Sequence, residues 1–371
     1  MKISRIFRFS ACLFLLGAAE TALYAEKNFM DAPWHDQPAP APGRELLNNS
    51  VLPWNFNFRP YSKSSAANLW TDPSYQRDVF AGKATAGGRP TAFAVICGKD
   101  GFTMYVLSGE PEILQSMKNG KDLPSSRLEC YFSPRDAENN AIEHYYQFLI
   151  DQKLDTIRDF PWLAEDRNFS PMNGRFKPQT AILPNAYLTR LHIPWRFLWN
   201  RLPFLTQNNR IWRFGIMRWA PGGGQTWGGV VHELGRMGYV RWPEFTPERR
   251  TAIMKTILTG AWLEYHDALP AYNPDLLAPP PDPYLKDLKP EIRSFNHYPE
   301  YRDFAEQVLK PMIGERAGLG AVIAEFEQLP IEEQEAFYRK NATRLINFSY
   351  DVQEAFGAWM KQKLIAGDSA K

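Results

Sequence analysis

The chain is poor in cysteine, in net charge and in long apolar runs. Its 371 residues include only Cys12, Cys97 and Cys130, too few for the disulfide framework of a small extracellular scaffold. Lys and Arg number 43 against 41 Asp and Glu, and no basic run interleaved with aromatics occurs. The electrostatic footprint of a nucleic-acid binder is therefore missing. The longest apolar stretch, Ala11 to Ala19, falls well short of the roughly 18 to 20 residues that cross a bilayer as a helix. No repeat with a period of about 20 to 50 residues is present, which excludes solenoids and propellers.

Motifs of catalysis and metal binding are equally scarce. Six histidines lie scattered at positions 35, 144, 192, 232, 266 and 297 without metal-ligand spacing. The stretch HELGR at 232 to 236 ends in Arg236, which cannot supply the second imidazole of a zinc-protease helix. Gly222 to Thr226 (GGGQT) is not followed by Lys-Ser/Thr, so it reads as a mobile turn rather than a phosphate loop. No serine or cysteine nucleophile stands beside a histidine. Carboxylates are plentiful, and a glycosidase needs only two at the right separation. An enzyme thus stays open while the reading leans to a non-catalytic protein.

What is present begins with Lys2, Arg5 and Arg8 ahead of the short apolar stretch, and with small residues at Ala22 and Ala25. This is the pattern of a secretory signal peptide over residues 1–25, and it predicts a secreted or periplasmic protein. Residues 26–371 then carry 40 basic and 40 acidic side chains. In that oxidising setting Cys97 and Cys130 permit one disulfide, with two separate buried thiols as the alternative.

Residues 26–60 contain Pro33, Pro38, Pro40, Pro42 and Pro53 and read as an extended arm lying over a first domain at 61–245. Within that domain Thr91 to Cys97, a Gly98-Lys99-Asp100-Gly101 turn and Phe102 to Leu107 predict a hairpin. Further strands are expected at Leu128 to Phe132, Tyr145 to Ile150, Tyr187 to Ile193, Ile211 to Arg218 and Gly238 to Trp242. Short strands separated by turns predict an antiparallel β-sandwich of the immunoglobulin-like kind. After Phe245 the period becomes helical, with Thr246 as N-cap and Pro247 at the first position. Residues 246–371 are expected to be a helical region interrupted by a proline-rich linker at 270–290.

Several of these pieces occur in an order that resembles the family 9 carbohydrate-binding modules and their DOMON-like relatives. They are FAVICGKDGFTMYV, LECYF, YYQF at 145 to 148, HIPW at 192 to 195, FGIMR at 214 to 218, Trp227, His232 and MGYV at 237 to 240. The resemblance spans about residues 88 to 242 and implies an exported ligand-binding sandwich. It implies a sugar clamped between two tryptophans, of which Trp227 matches one while the other falls near Leu123. Leucine offers no flat ring for a pyranose to stack on. The family's usual Glu is Arg190 here, and its usual Asn is Gly215.

The expected carbohydrate-binding residues are Trp227, Arg218 and its neighbour Trp219, with Trp162 in the irregular segment Asp151 to Gln179 as a replacement wall. The competing expectation is a cell-envelope interaction protein with a degenerate sugar site, docking a protein partner through its helices. Some relatives of this sandwich hold haem with a Met and a Lys or His, which Met217 and His232 fit loosely. No metal or cofactor is assigned.

Overall fold

A computed structural model describes residues 29–47, 52–55, 58–60, 89–134, 145–154, 156–161, 178–198, 202–205, 210–221, 223–228, 237–271, 303–309, 311–312, 319–346 and 348–368. The proposed leader at 1–25, Trp162, His232 and most of the linker at 270–290 lie outside these residues. Two sheets face each other, and helices follow them. The expected sandwich with a helical C-terminal region is what the chain forms.

The smaller sheet is ordered β3 (Thr91–Cys97), β4 (Gly101–Gly109), β9 (Ala186–Pro194) and β8 (Gln179–Leu183). The larger contains β1 (Phe29–Asp31), β2 (Arg59–Pro60), β5 (Arg127–Ser133), β6 (Tyr146–Asp151), β7 (Thr156–Pro161), β10 (Ile211–Ala220), β11 (Gly223–Trp227) and β12 (Gly238–Arg241). β10 organises it. One edge pairs with β5, and the other pairs first with β12 and then with β11. β1 joins β12 in parallel, and the other strand pairs are antiparallel.

β3 and β4 are apolar at nearly every position because both of their faces are buried. Phe93, Phe102, Met104 and Val106 point to the larger sheet. Ala92, Ala94, Ile96, Tyr105 and Leu107 pack under Leu46, Leu47, Leu52 and Trp54 of the N-terminal segment. Gly98 is required where that segment crosses the hairpin, since a Cβ there would stand 2.7 Å from the His35 carbonyl oxygen. Between the sheets the core is aromatic: Phe102, Phe132, Trp195, Trp212, Phe214 and Trp242 meet with centroids 4.9–6.1 Å apart.

The first long helix, α2 (Pro247–Ala271), follows the short α1 (Ile113–Lys118). Thr246 caps it, its hydroxyl oxygen accepting the Arg249 N–H at 3.4 Å. Ile253, Met254, Ile257 and Leu258 sit in one cluster with Phe245, Trp242 and Trp195. α3 (Leu319–Gln328) and α4 (Ile331–Ile346) add Phe326, Tyr338 and Ala342 to that cluster. The last helix, α5 (Phe348–Asp368), packs Phe356 and Trp359 on Phe304. The helices α2 to α4 are therefore seated at the end of the sandwich that bears the 98–100 turn. The opposite, loop end is made of α1 and the turns after Asp151, Leu183 and Ala220.

Candidate functional site

Side chains of β10 alternate in direction, so Trp212, Phe214, Ile216 and Arg218 turn inward. Arg218 is fully buried. Its Nε donates to Ser126 Oγ at 3.2 Å, and Nη1 to the carbonyls of Arg89 and Pro90 and to Thr91 Oγ1 at 2.8–3.0 Å. Nη2 donates to the Gly109 carbonyl and to Glu110 Oε1, both at 2.6 Å. All five N–H groups of the guanidinium are engaged. The expectation that Arg218 reads sugar hydroxyls at the rim is corrected: it stitches the two sheets together. Thr91 passes the network to Gln225, and Ser126 passes it through Gln152 to Thr189.

Trp227 is also placed in the core. It faces inward opposite Ile216 with none of its surface exposed. Its ring centre lies 4.5 Å from that of Phe93, and its indole N–H donates to Asn55 Oδ1 at 3.0 Å. The Gly-rich stretch before it is no mobile turn. Gly223 to Trp227 form a strand whose Gln225 is buried. Gly228 ends it at φ 94°, where a Cβ would lie 2.6 Å from the Gly238 nitrogen.

Trp219 points the other way, onto the outer face, and is 39% exposed. Its indole N–H donates to Glu129 Oε1 at 2.8 Å. Glu129 Oε2 accepts the Tyr131 hydroxyl, which itself accepts the Gln147 amide N–H at 3.1 Å. Tyr131, Tyr145, Met217 and Met237 form a buried cluster beside them. Burial and the Glu129 charge raise both tyrosine hydroxyls above their ordinary pKa. On the adjoining strands Trp219 is directly opposite Arg127 and Gly224. Glycine places no side chain against one flank of the indole. Met217 thus belongs to the outer-face cluster, and the other half of the haem alternative, His232, is not described.

Of the expected sugar residues, the structure leaves Trp219 on the surface, takes Trp227 and Arg218 into the interior, and does not describe Trp162. It adds Arg127, Glu129, Tyr131 and Gln147 around Trp219. Their one sequence signal is alternation: in LECYF and YYQF the core takes Leu128, Cys130, Phe132, Tyr146 and Phe148, which assigns the intervening residues to the opposite face.

A small depression, with a cavity volume of about 20 Å³, lies where the N-terminal segment meets the hairpin turn and is lined by His35, Asp36, Lys99, Asp100, Thr103 and His192 among others. His192 Nδ1 is 2.8 Å from Thr103 Oγ1. Burial, and secondarily Arg190, pull its pKa from 6.5 to about 4, so the ring is neutral at ordinary pH. Among the described residues no group of three His, Cys, Asp or Glu side chains could hold a metal ion.

Cys97 and Cys130 are free and buried. They belong to different sheets, Cys97 at the hairpin end opposite Phe102 and Cys130 opposite Ile216, which corrects the disulfide option in favour of two thiols. Burial pushes the Cys130 thiol up to about 12 and that of Cys97 higher still. Both are expected to ignore a thiol-titrating reagent in the native chain and to react once it is denatured. A native thiol reacting as fast as a free model thiol contradicts this placement.

No protein-family model matches the sequence, and no curated protein matches it. Among solved structures, the chain is similar to a carbohydrate-binding module family 9 from Caldicellulosiruptor kristjanssonii in complex with cellotriose. The TM-score is 0.37 and the identity 12%, covering 59% of this chain and 95% of that one. The same module in complex with glucose gives TM-score 0.37 and 12% identity, covering 59% of this chain and 97% of the other.

Proposed function

We propose that this is an exported, secreted or periplasmic, non-catalytic protein that binds a sugar or glycan fragment at the loop end of its sandwich, with Trp219 as the stacking residue. The observation that carries this reading is the outward indole of Trp219, pinned by Glu129 and 39% exposed. A ring held in one orientation, with a flank cleared by Gly224, presents an apolar plane to the C–H face of a pyranose. Glu129 has one oxygen on Trp219 and the other on Tyr131. It therefore serves as a brace for the indole rather than as a free acid or base.

The competing reading, an envelope interaction protein docking through its helices, draws on Ile331 of α4 and Ile365 of α5, exposed at 41% and 58%, since exposed apolar side chains suit a protein partner. Glycan-array and calorimetric measurements on the Trp219→Ala variant separate the two. A stacking role predicts binding weakened about tenfold or more with an unchanged denaturation midpoint. A chain silent on every glycan, or equally active without Trp219, overturns the sugar reading.

A further inference from the structure

This inference rests on the sugar reading of the Trp219 surface and concerns the class of sugar it takes. A pyranose stacked on an indole is identified by the polar groups around its edge, so the hydrogen-bonding capacity left beside Trp219 decides the ligand. Glu129 spends both oxygens on Trp219 and Tyr131. Tyr131 is buried, and the Gln147 amide N–H is directed at its hydroxyl. Asp151 Oδ1 accepts the backbone N–H groups of Lys153 and Leu154, each at 3.1 Å. These acceptors are turned toward the protein.

Arg127 differs from all of them. It stands directly across from Trp219 in the β5–β10 register, which places the two side chains in cross-strand contact range on one face, about 5 Å apart at Cβ. Leu128, its neighbour, is fully buried on the other face. The Arg127 side chain is 71% exposed, against 21% for Asp151, and their contact is a long 3.9 Å. Exposed pairs of that kind contribute little. The cation is therefore open to solvent beside Trp219, and its fork of N–H groups matches a carboxylate or sulfate in two parallel bonds.

We infer that the site selects a pyranose bearing an anionic group, a uronate or a sulfate ester, with the ring face on Trp219 and the anion on the Arg127 guanidinium.

The test is calorimetry of the full chain with tetragalacturonate, its methyl ester, a carrageenan tetrasaccharide and cellotetraose. The first and third carry carboxylate and sulfate respectively, and the ester keeps the ring of the first without its charge. One or both anionic sugars are expected to bind, and the uncharged sugars about tenfold or more weaker. Arg127→Ala is expected to weaken anionic binding about tenfold and Arg127→Lys to restore part of it. Affinity is expected to fall as NaCl is raised. Thermal midpoints of both variants should match the parent, since Arg127 is exposed. If the ester and cellotetraose bind as tightly as the acids, and Trp219→Ala still abolishes binding, the sugar reading stands and this inference falls. If no sugar binds, both fall.

Discussion

Arg218→Ala is expected to lower the stability of the protein by about 3–5 kcal/mol in urea denaturation of the full chain. The guanidinium reaches both sheets at the loop end. It closes on Arg89, Pro90 and Thr91 at the start of β3, on Gly109 and Glu110 at the end of β4, and on Ser126 before β5. Alanine removes a donor from each of these groups, although the Gln225 amide still reaches the Arg89 carbonyl and the Gly109 N–H the Pro90 carbonyl, and each buried group left unmet costs about 1–3 kcal/mol. Glu110 keeps Arg89 at 3.1 Å, so its charge is not stranded, and this holds the expected loss to that range. Arg218→Lys should recover little. Its three N–H groups radiate from one point and cannot span acceptors arranged on three sides of a planar fork. Folded molecules of either variant should keep their glycan affinity, because no N–H of Arg218 faces a ligand. A loss below about 1 kcal/mol would contradict the stitching role.

This assignment also shows how far the sequence could be read. The strands Thr91 to Cys97 and Leu128 to Phe132 were legible because their residue types and turn punctuation are local signals. So was the start of α2, where Thr246 and Pro247 carry the cap. β11 was not, because its two glycines and buried glutamine carry no strand propensity. Pairing with the long strand β10 imposes its conformation from outside the segment. The helix α4 was hidden in the same way: its buried positions among the described side chains are Gln334, Tyr338, Asn341 and Ala342 amid Glu332, Glu333 and Glu335, a stripe too polar to stand out. At the site, direction on a strand decided everything. Arg218 and Trp219 are consecutive, so one must face the core and the other must leave it. Only the register with β5, which puts Leu128 against Arg218 and Arg127 against Trp219, says which. An arginine facing inward runs against the usual pattern of burial, and it is tolerated here because every donor is met.

Trp227→Ala puts the corrected assignment under its strongest test. Removing a fully buried tryptophan leaves a cavity against Phe93 and is expected to cost about 3–5 kcal/mol. It also releases Asn55, whose backbone pairs with Phe93 through N–H to O distances of 2.7 and 3.0 Å in the two directions, so the N-terminal segment should loosen with it. Trp227→Phe keeps a ring on Phe93 but abandons Asn55, and should cost about 1–2 kcal/mol. Per folded molecule, neither change should alter glycan affinity. A stacking tryptophan behaves oppositely: its replacement by alanine spares stability and removes binding, which is the pattern expected of Trp219. The two variants therefore form a reciprocal pair, and denaturation midpoint against calorimetric affinity reads both. If Trp227→Ala lost the ligand while keeping its midpoint, the indole would have to leave the interior to bind, and the surface around Trp219 would lose its claim to the sugar.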